Sequence, residues 1–351
     1  MAHKSLLIEL RTSPYIRDTL SVPRIMWHVV FALLPLCGFA VYQFGLSALV
    51  LLAVTTLSCI AFEYLFCRAQ RQSSTLRDGS AAITGILLAL TLPPGFPLWM
   101  AVVASFAAIG LGKALFGGLG YNLFNPALVG RAFVQAAFPV AITTWTPAFA
   151  PQRFSEFIPS TLAWPFMSPP PVSDWIKHAA VDGFSGATPL ALMKFDHRLT
   201  DTADLFFGMT AGSAGETSSL LILLGGLYLA LRRMLDWRIP FAVLASAAFW
   251  ATVFHLWRPE IYPDAAFMLC SGGLMLGAVF MATDMVTSPV TPLGVIIYGA
   301  LIGVLTILIR LFGGLTEGVM YAILFANAAT PWIDQLTQPR VFGARQRGKE
   351  S

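Results

Sequence analysis

Charge is scarce in this chain. Of its 351 residues only 11% are Asp, Glu, Lys or Arg, against roughly 25% in soluble domains. That shortage excludes a water-facing surface for most of the sequence, and with 56% hydrophobic residues and a mean hydropathy of +0.71 the solvent must be a bilayer. Metal and nucleotide motifs are lacking too. Cys37, Cys59, Cys67 and Cys270 show no CxxC or Cys/His spacing and read as membrane packing residues. His28, His178, His197 and His255 have no partner at metal-ligand spacing and read as packing or interfacial residues. There is no P-loop, no dinucleotide fingerprint after a strand and no HExxH, and the Gly-rich stretch 208–215 lacks the lysine of a nucleotide loop. Any redox or energy chemistry must then come from a tethered cofactor or from partner subunits. The net charge of +4 is modest and sits on one face, which excludes nucleic acid and fits topology and lipid contact.

What is abundant is apolar runs near the roughly 17–25 residues that a spanning helix needs. Ten are found, at 25–44, 46–66, 80–92, 98–115, 127–142, 218–231, 239–256, 265–282, 293–311 and 316–333. Several are short for a lone span, and 80–92 ends at Pro93-Pro94-Gly95. Irregular backbone at membrane depth is tolerated only where protein or a water-lined cavity buries it, so broken helices point to an internal site. The first run follows a 24-residue polar lead without a small-residue cleavage site and is expected to direct insertion itself.

Short inner loops collect Lys and Arg. With the N-terminus inside, 15 of the 22 basic residues fall on the inner side and six outside, with Arg131 within a span. The expected layout is a multi-pass bacterial inner-membrane protein with both termini cytoplasmic. Its parts are an inner tail 1–24, a first membrane unit 25–142, a periplasmic loop 143–217, a second membrane unit 218–334 and an inner tail 335–351.

The two units echo each other, as an internal repeat or as ordinary Gly-rich breaks that recur by chance in an apolar chain. Phe116-Gly117-Gly118-Leu119 and Asn125-Pro126-Ala127 return as Phe312-Gly313-Gly314-Leu315 and Asn327-Ala328-Ala329. Ser80-Ala81-Ala82 is loosely echoed by Ser271-Gly272-Gly273. Five spans per unit, an odd number, would invert the second copy, placing one FGGL inside and the other outside. The expected fold is therefore all-helical, about ten transmembrane segments as two inverted five-helix repeats with broken helices, an arrangement that puts binding sites at the repeat interface.

Ionisable residues in spans are functional candidates by default. Here they are Glu63, Lys113, Arg131, Asp284, Arg310 and Glu317. Lys113 and Arg310 read as side chains snorkelling from helix ends, and Glu63 as a structural partner of Arg68. Asp284 precedes a Ser/Thr/Pro break, where a carboxylate could bind a small cation or relay a proton, or could only satisfy nearby backbone donors. In the outer loop, Asp182-Gly183-Phe184-Ser185-Gly186-Ala187-Thr188-Pro189-Leu190 is a small-residue turn whose open backbone lets a bulky group approach a hydroxyl.

Five segments carry a resemblance over nearly the whole chain: Ser74-Thr75-Leu76-Arg77-Asp78-Gly79-Ser80, Gly120-Tyr121-Asn122-Leu123-Phe124-Asn125-Pro126-Ala127, Ser185-Gly186-Ala187-Thr188-Pro189-Leu190, Gly212-Ser213-Ala214-Gly215-Glu216-Thr217-Ser218 and Ala282-Thr283-Asp284. The chain resembles the D-type membrane component of the Rnf (Rsx) ion-translocating electron-transport complex, which is similar to the B-type component of the sodium-pumping NADH:quinone oxidoreductase. The resemblance implies FMN in phosphoester linkage to Thr188, within a motif formed by Ser185, Gly186, Ala187 and Thr188, attached by a separate flavin transferase that uses FAD and a divalent metal. It also implies a noncovalent riboflavin, whose ligands no motif here places. The partners implied are the other Rnf components (A, B, C, E and G), and the activity is electron transfer between ferredoxin and NAD coupled to sodium or proton movement. No catalytic residue and no metal ligand is expected in the chain itself. Two rival readings remain, a solute channel or transporter with inverted repeats and an inert membrane scaffold, and neither needs a flavin on Thr188.

Overall fold

The computed structural model describes residues 21–71, 76–167, 175 and 187–339, and these contain helices but no strand. Helices cover each of the ten apolar segments. They are α1 (Val22–Phe44), α2 (Leu46–Ala69), α3 (Ser80–Thr91), α4 (Leu98–Gly110), α5 (Pro126–Ala137), α6 (Pro139–Thr143), α7 (Pro189–Asp196), α8 (Thr202–Phe207), α9 (Ser219–Leu231), α10 (Arg238–Trp257), α11 (Ala265–Cys270), α12 (Leu274–Leu276), α13 (Pro292–Phe312) and α14 (Val319–Thr337). Five stretches, Val22–Phe44, Leu46–Ala69, Leu98–Phe116, Arg238–Trp257 and Pro292–Phe312, are long and apolar enough to cross a membrane. The protein is a multi-pass membrane protein.

Two of the expected segments are not single helices. The run 127–142 divides at Phe138, because Pro139 has no N–H to continue α5 and instead starts α6. The run 265–282 breaks at Ser271-Gly272-Gly273, where Gly272 takes φ +60, and resumes as α12 and a π-helical turn, Gly277–Met281. Such turns are rare and recur at functional sites.

In the first half α2 packs on α3 and α4, and α4 on α5; in the second α10 packs on α13, and α13 on α14. The halves meet where α1 touches α9 and α5 touches α14. Close packing of α10 on α13 depends on Gly299 and Gly303, one turn apart. A Cβ on Gly303 would lie 2.6 Å from the Val243 carbonyl oxygen, and one on Gly299 would lie 2.6 Å from Ala242 Cβ. This is how small residues let helices approach in lipid, where apolar burial gives no drive.

The two FGGL motifs lie near helix ends but not at the same place: Phe312 closes α13, whereas Phe116 ends a separate 3-10 turn, Ala114–Phe116, beyond the end of α4. The Asn motifs do not match either. Asn125 caps α5, its Oδ1 accepting from the Ala127 and Leu128 amides, and its Nδ2 donates to the Met281 carbonyl at 3.2 Å. Asn327 lies inside α14 and accepts from the Tyr298 hydroxyl at 2.6 Å. One Asn ends a break and the other ties two continuous helices, so that echo is one of sequence, not of position.

Candidate functional site

Two mostly apolar pockets, each with a few polar groups, sit at opposite ends of α3, whose 12 residues span about 18 Å. Residues at a helix break line each, Thr283 and Asp284 in one and Gly272 in the other.

At the Ser80 end, a cavity with an empty volume of about 770 Å³ is lined by Ser80, Lys113, Asn122, Asn125, Thr283 and Asp284 together with apolar residues. Lys113 does not snorkel. Its ammonium donates to both oxygens of Glu63, at 2.8 and 2.9 Å, and to Ser80 Oγ at 2.6 Å, and the two charged side chains are only 4% and 3% exposed. Charges this deep must be paired, since desolvating a lone ion is far too costly. Glu63 thus finds Lys113, not the Arg68 expected from sequence proximity. Ser80 passes the chain on, donating from N and Oγ to Asp78 Oδ1 at 2.8 and 2.6 Å. Asp284 sits after the π turn, where its Oδ1 accepts from the Val286 amide at 3.2 Å. One carboxylate oxygen therefore serves the backbone while the residue also lines the cavity. Asn122 Oδ1 is buried there without a hydrogen-bond partner.

At the Leu90 end, Thr188 is the N-cap of α7. Its Oγ1 accepts from the Ala191 amide at 3.3 Å, and Pro189 supplies the preset first helical residue. The expected neighbours divide: Ala187 is described beside it, while Ser185 and Gly186 lie outside the described residues. Helix α7 is fixed by Lys194, whose ammonium donates to the carbonyls of Arg310 (3.0 Å), Leu315 (2.9 Å) and Gly313. These are orphan carbonyls at the end of α13, where a cation is favoured by the helix dipole. Partial burial holds the Lys194 ammonium below its ordinary pKa.

Thr188 borders a pocket with an empty volume of about 400 Å³, which it shares with Trp145, Leu190, Leu205, Ser213, Glu216 and Glu317. The Gly212-Ser213-Ala214-Gly215 run explains itself here. Its amides satisfy the carbonyls freed where α3 ends, Ala214 N to Leu92 O at 3.1 Å and Gly215 N to Leu90 O at 2.8 Å. A Cβ on Gly215 would come within 2.6 Å of Leu90 Cβ. Buried Gln43 ties the same run to α1, donating to the Gly208 and Thr210 carbonyls and accepting from Thr217 Oγ1 at 2.8 Å.

Two ion pairs close this end. Arg131 of α5 meets Glu216 at 2.5 Å, and Arg310 of α13 meets Glu317 at 3.3 Å. Arg310 also donates to the carbonyls of Met268 and Ser271, at 2.6 and 2.9 Å, so it too is buried and not snorkelling. Glu317 Oε1 accepts from the Gly273 amide at 3.0 Å, whereas its Oε2 has no partner. No cluster of three or more His, Cys, Asp or Glu that could hold a metal ion occurs among the described residues. His28 bonds the Tyr228 hydroxyl and His255 the Tyr262 carbonyl, both packing contacts.

The sequence reading did not single out Trp145, Lys194 or Glu216. The signal for the pairs was present in part: the topology had already put Glu63 and Lys113 at the same ends of their helices, with opposite charge.

These features define a class, a multi-pass helical membrane protein with a pocket at each end of the short helix α3 and a threonine at the rim of one. The chain belongs to the NQR2, RnfD, RnfE family, whose model matches residues 9–343. It is similar to the D component of the proton-translocating ferredoxin:NAD(+) oxidoreductase complex of Clostridium ljungdahlii, 38% identical over 353 residues and 98% of each chain. It is similar to the D component of the ion-translocating oxidoreductase complex of Stutzerimonas stutzeri, 41% identical over 344 residues and 94% of each chain. It is also 39% identical over 348 residues, 98% of each chain, to the D component of the Na(+)-translocating ferredoxin:NAD(+) oxidoreductase complex of Acetobacterium woodii.

Proposed function

We propose that this chain is the flavin-carrying membrane component of an ion-translocating oxidoreductase complex, passing electrons between ferredoxin and NAD branches while sodium or protons cross a bacterial inner membrane. The observation that carries the reading is Thr188, a helix-capping hydroxyl at the rim of a pocket. FMN in phosphoester linkage there would supply the step between two-electron donors and one-electron carriers. The residues fit the group: Thr188 is half-buried, and Arg131 and Arg310 balance Glu216 and Glu317 so that a phosphodiester meets no net negative charge. The work of the chain is to fix the hydroxyl through the α7 cap, to hold α7 through Lys194, and to keep the surrounding charges paired.

A noncovalent riboflavin would take the cavity at the Ser80 end, where Asn122 Oδ1 is buried without a hydrogen-bond partner. Asp284 borders the same cavity and is the proposed ion-path residue. The orientation that goes with this reading is cytoplasmic termini, a periplasmic Thr188 loop and two inverted five-helix halves, supported by the basic-residue bias and the contacts α1–α9 and α5–α14. Partners would be the remaining Rnf components A, B, C, E and G, membrane lipids and a flavin transferase.

The test is mass spectrometry of the Thr188 peptide after expression with the transferase, beside in-gel flavin fluorescence of wild type and Thr188→Ala. A peptide heavier by FMN less water, with fluorescence lost in the variant, is the expected result. An unmodified peptide from an assembled, transferase-competent host would overturn the flavin reading in favour of a solute transporter.

A further inference from the structure

A groove between α1 and α9 has no part in the electron-transfer reading. It is lined by Phe31, Ala32 and Pro35 of α1 and by Leu221, Leu224 and Tyr228 of α9. These positions recur a turn apart on each helix, so the groove follows both. The helices come close along it, since a Cβ on Gly225 would lie 3.1 Å from the Ala32 carbonyl oxygen. Phe31 and Leu224 are 52% and 51% exposed, so no described part of the chain covers them. One end of the groove is polar. There His28 Nδ1 and the Tyr228 hydroxyl are hydrogen-bonded at 2.7 Å, and the Arg232 guanidinium lies over the Tyr228 ring, 5.4 Å from its centroid. Arg232 is exposed, and among the described residues it has no acidic partner. From Leu221 to Arg232 a helix rises about 16 Å, close to half of the roughly 30 Å hydrocarbon core. A groove of that length reaches from mid-membrane to one head-group layer. Its cationic end opens on the Arg232-Arg233 loop, on the side to which the basic-residue bias assigns the cytoplasm.

We propose that this groove seats an anionic glycerophospholipid, an acyl chain lying along Phe31, Pro35, Leu221 and Leu224 and the phosphate bound by Arg232. A guanidinium pairs with phosphate through two parallel N–H donors, and stacking its face on an aromatic ring leaves those edges free. Apolar surface facing lipid is ordinary in a membrane protein. What sets this strip apart is a groove one leaflet long that ends on an arginine without an acid. A partner subunit's spanning helix would cover the apolar part but leave the cation unpaired, because acids within spans are rare. A phospholipid brings the chain and the anion at the spacing the groove presents. The proposal does not depend on what Thr188 carries.

The experiment uses the intact complex, delipidated in mild detergent and mixed with phosphatidylglycerol or phosphatidylcholine that carries a diazirine in an acyl chain. After irradiation the labelled residues are mapped by mass spectrometry. The expected result is labelling of the α1 and α9 groove residues about fivefold stronger with the anionic lipid, the factor one basic side chain contributes beside charged head groups. Arg232→Gln should bring the anionic lipid down to the level of the zwitterionic one. Leu224→Trp should close the groove to both, whereas Leu227→Trp, at an exposed position of α9 outside the groove, should leave the labelling as it is. Equal labelling by the two lipids in the wild type, or an assembled Arg232→Gln complex labelled like the wild type, would overturn the proposal and leave the strip as ordinary bilayer contact. An unlabelled groove in a complex whose Leu227 is labelled would overturn it too, in favour of a partner helix lying on the strip.

Discussion

At the scale of the residue, the buried Glu63–Lys113 pair makes the sharpest demand. With both side chains almost wholly out of solvent, removing Lys113 takes two hydrogen bonds from the buried Glu63 carboxylate, and breaking a buried pair costs about 3–5 kcal/mol. Lys113→Met should therefore lower the melting temperature of the assembled complex sharply. The double variant Glu63→Gln with Lys113→Met, which leaves no lone charge, should recover most of the loss. Equal melting temperatures for wild type and Lys113→Met would show that the pair is hydrated and weak. Asp284 asks a different question. Its Oδ1 caps the Val286 amide, and an amide oxygen can do the same, so Asp284→Asn keeps the cap and removes only the charge. The expected outcome is normal assembly with ion pumping lost or its cation dependence altered. A variant that pumps fully with unchanged cation dependence would leave Asp284 a backbone cap and nothing more. Both residues were legible as candidates, since ionisable groups stand out in an apolar chain. The partner of Glu63 was not, because Lys113 lies 50 positions away and the contact exists only once α2 packs on α4.

At the scale of the element, breaks were more legible than their purposes. Proline pairs and Ser-Gly-Gly mark where helices stop, and the segment boundaries agree with the apolar runs to within a few residues. The division of 127–142 at Phe138 was foreshadowed by Pro139 and missed because the run stays apolar through it. Nothing in Gly212-Ser213-Ala214-Gly215 announces that its amides will bond the carbonyls of α3, since that pairing belongs to two segments over a hundred residues apart. The seam between α10 and α13 offers a clean test. Gly303→Leu forces a side chain into the Val243 backbone, and overpacking of this kind costs about 1–3 kcal/mol or more. Gly314→Ala adds a methyl where nothing lies within 4 Å. The first should depress thermal stability and assembly of the complex, and the second should leave both near wild type. Comparable stability in the two would mean that the helices can separate without penalty.

At the scale of the whole molecule, hydropathy alone made the membrane setting and helical class readable, because an 11% charged chain has no other solvent. The two pockets were not readable. Each gathers residues from distant parts of the chain: Asn122 and Asn125 of the first half with Asp284 of the second in one, Trp145 and Ser213 of the connecting segment with Glu317 of the second half in the other. Sequence motifs named most of these residues singly, and folding made them neighbours. The anchoring of α7 has a consequence at this scale. Lys194 grips three carbonyls of the second half, so whatever Thr188 bears is a passenger of that half. Any relative displacement of the two halves would carry α7, and with it the Thr188 hydroxyl, along with the second half.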